Sequence, residues 1–421
     1  MTEEILQFVW NHKLFNVKQL ETTSGESIVI NHQGYLNQIA GPDFSEARIT
    51  IGQTQWVGNV EIHTKSSEWM KHRHQYDEAY NNVILHVVFE HDMDVEQQNG
   101  EIPKTLSLEG LIPKHVLDNY NSLKYNKDLI PCSTQVKEVP SIIKRQVLDR
   151  MLAQRLERKA NDVIEIYKKA NSDWLQTFYT LLAGYLGQNT NKQPFQELTR
   201  QLPLTLLLKY QNTRFQVEAL LFGVADLIPE KGDEYIDALK KEYQFLKHKH
   251  DLNEIHSMWK FGGIRPPAFP TRRIGILAAI IQDIRDLRST LIDSGSVNEL
   301  FERIKISDYW APRFTFGGKP RSGTKTIASS LRELLIINAF APYTYAYGML
   351  TGNEELKAQA IELLESQPPE KNSIINNWIE LGFHSENGAD SQALIELKSN
   401  YCNFKKCVFC GIGKSILSKE S

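Results

Sequence analysis

The residues best suited to chemistry lie in one segment, GPDFSEARITIGQTQWVGNVEIHTKSSEW, residues 41–69. Asp43 follows a Gly-Pro turn and directly precedes a run with strand character, and Glu61 sits in a second such run. Along a strand, Glu61, His63 and Lys65 share one face, because side chains alternate with period two. A hairpin would set Asp43 beside Glu61 and offer two carboxylates to a hard divalent ion, Mg²⁺ or Mn²⁺. An ion held there would polarise a phosphate and activate water. Lys65 would stabilise charge on the phosphoryl group, or His63 would act as base. His72, His74 and Asp77 follow closely, and His86 lies inside the apolar run NNVILHVVFE. The competing reading of the acids is solvated turn and edge-strand charge.

Four cysteines occur, and three are crowded in YCNFKKCVFCGIGKSIL as Cys402, Cys407 and Cys410. Three thiolates at this spacing suit Zn²⁺, with Cys132 closing a four-sulfur set, and an iron–sulfur cluster takes the same ligands. Either would be structural, with no open position for hydrolysis. Buried free thiols are the alternative.

Basic residues gather in two further places. Arg145, Arg155 and Arg158 belong to a helical stretch whose basic face suits phosphate contacts, or equally a solvated helix with acidic partners. Arg265, Arg272 and Arg273 flank the loop FGGIRPPAFPTRR, a candidate anion site whose plainer reading is packing with exposed charge. GGKPRSGTKT at 317–326 departs from a phosphate loop, with Thr324 where lysine belongs and no strand before it.

The elements that must position these groups follow from hydrophobic spacing. Residues 3–12 read as an amphipathic helix from which Glu4 would project toward a neighbouring site. Strands are expected at 27–31, 47–51, 55–64 and 82–89, with a weaker one at 105–110. Helical spacing then dominates at 142–169, 173–186, 214–226, 326–340, 353–366, 371–380 and 389–400, with Gly/Pro-rich breaks at 261–273 and 311–325. The expected fold class is α+β or α/β: a restriction-endonuclease-like mixed-sheet domain at 1–135, then a mainly helical region at 136–421, divisible near 260–310.

The hydrophobic fraction of 41% and charged fraction of 24% exclude a disordered chain, and a net charge of −3 excludes a basic coat but not a local anion-binding surface. No run approaches the roughly 20 apolar residues of a membrane span. The first residues, MTEEILQFVW, lack the pattern of a secretion signal, so a cytoplasmic location is expected.

Pro42-Asp43 and Glu61-Ile62-His63 together resemble the signature of the PD-(D/E)xK nuclease superfamily, with His63 in place of its lysine. The resemblance implies an α/β nuclease core, a divalent metal and hydrolysis of DNA or RNA. It makes Asp43 and Glu61 metal ligands, Glu4 the helix carboxylate, and Lys65 a replacement lysine two residues on. A wider resemblance runs through residues 41–69, LFGVADL at 221–227, IRPPAFPTRR at 264–273, IINAFAPYTYAYG at 336–348 and YCNFKKCVFCGIG at 401–413. These segments are similar, in order, to the bacterial DUF2851 family, especially its Bacteroidetes branch. That likeness implies a domain grouping and a bacterial setting, but no reaction. Three functions are carried forward: a metal-dependent nuclease, an inactive nucleic-acid-binding or assembly protein, and a hydrolase of a smaller phosphorylated substrate.

Overall fold

The computed structural model describes residues 1–37, 39–293, 297–321 and 323–419, so Ser322 of the GGKPRSGTKT segment lies outside the described residues. The chain divides into two compact units. One contains Met1–Asp149, Glu380–Phe383 and the chain from Leu397 onward; the other contains Arg150–Ile379 and His384–Glu396.

The first unit is a mixed sheet with helices. Its helices are α1 (Glu3–Asn11), α2 (Glu68–Lys71), α3 (Lys114–Tyr125), the start of α4 from Ser141, and a C-terminal helix at Gly411–Leu417. Its strands are β1 (Leu20–Glu21), β2 (Ser27–His32), β3 (Tyr35–Leu36), β4 (Phe44–Ile51), β5 (Thr54–Lys65), β6 (Val83–Glu90) and β7 (Lys104–Ser107). The sheet order is β1-β2-β4-β5-β6-β7, with β3 paired to β4. Pairing is antiparallel as far as β5; β6 then runs parallel to β5, and β7 parallel to β6. The crossover from β5 to β6 is made by α2 and two short 3₁₀ turns rather than by a long helix.

The hydrophobic faces fix this arrangement. Helix α1 buries Ile5, Leu6, Phe8, Val9 and Trp10 and packs on β5. Strand β5 is exposed at its start but buried on both faces from Val60 to His63, before reaching solvent again at Lys65. Gly58 lets β5 approach β6 closely: a Cβ there would lie 2.5 Å from Ile84 Cγ2 and 2.7 Å from the Asn82 carbonyl.

The second unit is helical among the described residues apart from one isolated bridge, Lys305 with Thr326. After α4 (Ser141–Lys169) come α5 (Trp174–Leu186), α6 (Gln188–Gln201), α7 (Leu204–Leu207), α8 (Arg214–Val224), α9 (Glu234–His250) and α10 (Pro270–Gln282). Two Pro-containing segments depart from the expected breaks. The loop around residue 265 ends earlier than its composition suggests, because Pro270 occupies the first helical turn, where its missing N–H is no loss. Arg272 and Arg273 are therefore helical. Likewise, helix Ser329–Leu335 runs through a π turn at Ile336–Phe340 into Ala341–Thr351, with Pro342 seated in that new first turn.

Candidate metal centre on the N-terminal sheet

The pairing of Phe44 with Val60 sets Asp43 at the mouth of β4, beside Glu61 on β5. A bulge follows immediately: the register shifts between Phe44 and Ala47, and Glu46 takes a positive φ of 59°. The two carboxylates are locked by backbone donors. The Asp43 amide donates to Glu61 Oε2 at 3.0 Å, and the Ile62 amide donates to Asp43 Oδ2 at 3.0 Å. Gln7 of α1 donates its side-chain amide to Asp43 Oδ1 at 2.8 Å.

Three histidines close over the same spot. His63 follows Glu61 by two residues, so its ring lies on the same face of β5, with Nε2 3.6 Å from Glu61 Oε1. His72 caps α2, and Arg73 then adopts a left-handed φ of 65°, which turns the chain so that His74 comes back to the sheet. His74 Nε2 lies 3.3 Å from Glu61 Oε1, and His63 Nε2 lies 3.2 Å from His72 Nδ1. One nitrogen from each of His63, His72 and His74 falls within a common span of 4.8 Å, so the three can coordinate a metal ion. For Zn–N bonds of about 2.0–2.1 Å, tetrahedral ligand atoms stand roughly 3.3 Å apart. The 3.2 Å between His63 and His72 and the 3.3 Å between His74 and Glu61 match that edge length.

Behind this first layer His63 Nδ1 contacts His86 Nε2 at 2.8 Å. Trp69 is fully buried against the rings of His63, His74 and His86, and Tyr80 stacks on His74 at 3.8 Å. His74 Nε2 is buried without a hydrogen-bond partner, despite its nearness to Glu61. A buried polar atom left in this state is costly, and a cation between His74 and Glu61 would satisfy both groups.

Charge in this pocket is poised for a cation. Burial pushes Asp43 up to about 7, helped by the neighbouring Glu61, and burial pushes Glu61 up to about 8. The histidines shift the other way. Burial, then the neighbouring imidazoles, lowers His63 to about 2, and burial lowers His86 to about 3. Both rings are therefore neutral at physiological pH, the state in which imidazole ligates metals.

Other expected site residues are placed differently. Glu4 is exposed, whereas half-buried Glu3 is the helix acid whose charge acts on Asp43, Glu61, His72 and His74. Glu3 precedes Leu6 by three residues and Gln7 by four, which puts it on the helix side turned toward the sheet. That spacing was the available signal for it. Lys65 reaches solvent and pairs with Glu90 at 2.8 Å, so it stands away from the carboxylates. His72 and His74 supply the second half of the cluster. Their spacing alone suggested no site, because the turn at Arg73 is what folds them inward.

The expected phosphate contacts are largely engaged within the protein. Arg145 pairs with Asp149 at 2.8 Å, and Arg155 and Arg158 both bind the buried Glu396, Arg158 at 2.6 Å. Arg265 is exposed, while Arg272 and Arg273 are buried, contrary to a reading of exposed charge. Cys132, Cys402, Cys407 and Cys410 all belong to the first unit. Among the described residues no three of their sulfurs fall within 4.8 Å of one another. The sulfurs of a closed zinc site would stand roughly 3.8 Å apart, so that site is not formed as expected.

A family model described as "Protein of unknown function (DUF2851)" matches residues 3–373. The chain belongs to the DUF2851 family. The DUF2851 match takes in Glu3, Asp43, Glu61 and every histidine of the cluster, and it ends before the C-terminal cysteines. Neither the curated proteins nor the solved structures give a match. Among the described residues no helix is long and apolar enough to cross a membrane.

Proposed function

We propose that this DUF2851 protein is a divalent-metal-dependent nuclease whose centre combines the Asp43–Glu61 pair with His63, His72 and His74. The carrying observation is their convergence: Glu61 Oε1 lies 3.6 Å from His63 and 3.3 Å from His74, the Asp43 amide donates to the same carboxylate, and one nitrogen from each of His63, His72 and His74 falls within 4.8 Å of the others. The order α1, antiparallel β2-β4-β5, crossover, then parallel β6 supports the likeness to a PD-(D/E)xK core. His63 occupies the position of that motif's lysine, and Glu3 takes the place first expected of Glu4.

A mixed carboxylate and imidazole set favours Mn²⁺, Fe²⁺ or Zn²⁺ over Mg²⁺, which prefers oxygen ligands throughout. Such an ion would supply an activated water and neutralise charge on a phosphodiester. Glu61, His63 and His74 would hold it from inside, and exposed His72 from the solvent side. Asp43 orients Glu61 through its amide, and Gln7 fixes Asp43.

Cleavage of a panel of labelled DNA and RNA with Mg²⁺, Mn²⁺ or Zn²⁺ tests the reading, with D43N/E61Q alongside. Metal-dependent cleavage that disappears in the folded double variant is expected. Binding without cleavage under every metal overturns it in favour of an inactive nucleic-acid-binding or assembly protein. Hydrolysis confined to small phosphate esters points to a smaller phosphorylated substrate.

The cysteines support a separate, structural reading: an iron–sulfur cluster. Cys132 and the C-terminal triplet meet in one unit, and burial followed by the other thiols pushes Cys132 and Cys407 up to about 12. Thiols so placed stay neutral unless a metal replaces the proton. A multi-iron cluster spans wider thiolates than one zinc ion does. Iron and acid-labile sulfide in anaerobically purified protein, absent from C407S/C410S, would support it; zinc or no metal at all would exclude it.

A further inference from the structure

In the second unit, α10 carries two adjacent arginines, Arg272 and Arg273, that are 9% and 6% exposed. Among buried polar atoms without a hydrogen-bond partner are Arg272 Nη1, Arg273 Nε and Arg273 Nη1. No carboxylate acts on either group: burial alone depresses Arg272, and burial together with Arg272 depresses Arg273. The other arginines singled out from the sequence contrast with this, since Arg155 and Arg158 converge on Glu396.

A guanidinium cannot shed its proton at physiological pH, so two of them buried without a counter-charge are strongly unfavourable. Among the described residues no carboxylate supplies that charge. Both residues sit at the start of a 13-residue helix whose dipole favours anions; Arg273 donates its N–H to the Phe269 carbonyl and Pro270 has none, which leaves the N–H groups of Thr271 and Arg272 for a ligand. Side chains of a helix lean toward its N-terminus, the end at which Arg272 and Arg273 leave the backbone. The first turn itself is buried, but Arg265, Pro266 and Pro267 just before it are exposed. Thr271 ties the turn to the segment beyond Trp310 by donating to the Phe314 carbonyl at 2.5 Å.

We infer that the N-terminal turn of α10, with Arg272 and Arg273, is a binding site for a phosphate oxyanion. The planar guanidinium forks match phosphate oxygens in pairs, and the helix end adds backbone donors. The phosphate could be free or belong to a nucleic-acid backbone, and the inference does not depend on the metal centre.

The test compares thermal unfolding of the full chain in inorganic phosphate with unfolding in chloride at equal ionic strength, alongside salt-dependent binding of a single-stranded oligonucleotide. Wild type, R272M/R273M and R273K are measured in both arms. Phosphate should raise the wild-type Tm and leave that of R272M/R273M unmoved, with R273K between them because it keeps charge but loses the fork. A Tm response without a change in oligonucleotide affinity assigns a free anion. A roughly tenfold loss of oligonucleotide affinity in R272M/R273M, with a salt slope shallower by about 0.7 for each phosphate no longer neutralised, assigns backbone phosphate. Equal responses of wild type and R273K in both arms overturn the inference, and this comparison holds even if the double variant fails to fold.

Discussion

His63 Nδ1 lies 2.8 Å from His86 Nε2, and both rings are almost wholly buried. This pair fixes which His63 nitrogen is free. If Nδ1 carries the proton and donates to His86, then Nε2 faces Glu61 and His72 with its lone pair available. Second-layer partners of this kind orient metal-ligating imidazoles. H86L should weaken Mn²⁺ or Zn²⁺ binding by about 10–100-fold while the protein still folds. Unchanged affinity in calorimetry would reduce His86 to core filling.

The carboxyl pair sets a pH dependence whose sign can be worked out. Asp43 and Glu61 have ordinary values of 3.8 and 4.5 but titrate at about 7 and about 8 in the fold. Between pH 7.5 and 8.5, the unfolded chain has already lost both protons while the folded one retains them in part. The histidines, depressed in the fold and ordinarily near 6.5, are mostly neutral in both states there. Metal-free stability should therefore fall as pH rises through this window. Metal affinity should rise, since the ion displaces those protons. D43N/E61Q should flatten the stability trend, as read by Tm against pH in chelator.

Lys65 provides the contrast. Its partner Glu90 and its own ammonium are both solvent-exposed. K65A should leave metal affinity and Tm within experimental scatter and lower cleavage by less than threefold, on the order of a surface charge change. A loss of cleavage as large as that in E61Q would restore Lys65 to the site.

The helical unit has its own sensitive position at Gly223 of α8, where an added Cβ would overlap the Tyr243 ring of α9. Overpacking a close helix contact costs about 1–3 kcal/mol. G223A should lower denaturant stability by that amount, and G223A/Y243A should recover part of it. Full additivity of the two changes would mean that the helices do not meet there.

Much of the first unit could be read from local pattern. The apolar runs that became β2, β4, β5 and β6 placed those strands, and alternation correctly put Glu61 and His63 on one face. Helices α3, α6, α9 and α10 escaped: α6 because its Asn, Gln and Pro residues read as an interruption, α9 because its 17 residues are mostly charged on a broad outer face, and α10 because its prolines resemble a break. In α10 the prolines initiate the helix.

By itself the sequence determined what is periodic and near in the chain: strand faces, the apolar side of α1, and the Gly-Pro turn ahead of Asp43. Those depend on backbone geometry that each segment carries alone. Tertiary structure decided the rest. Packing of α1 on β5 chose Glu3 over Glu4, and the end of burial along β5 sent Lys65 to Glu90. A left-handed residue at Arg73 brought His74 to Glu61, Glu396 claimed Arg155 and Arg158, and among the described residues no carboxylate acts on Arg272 or Arg273. Partner choice among charged groups depends on burial and on register between distant segments, which local spacing does not encode.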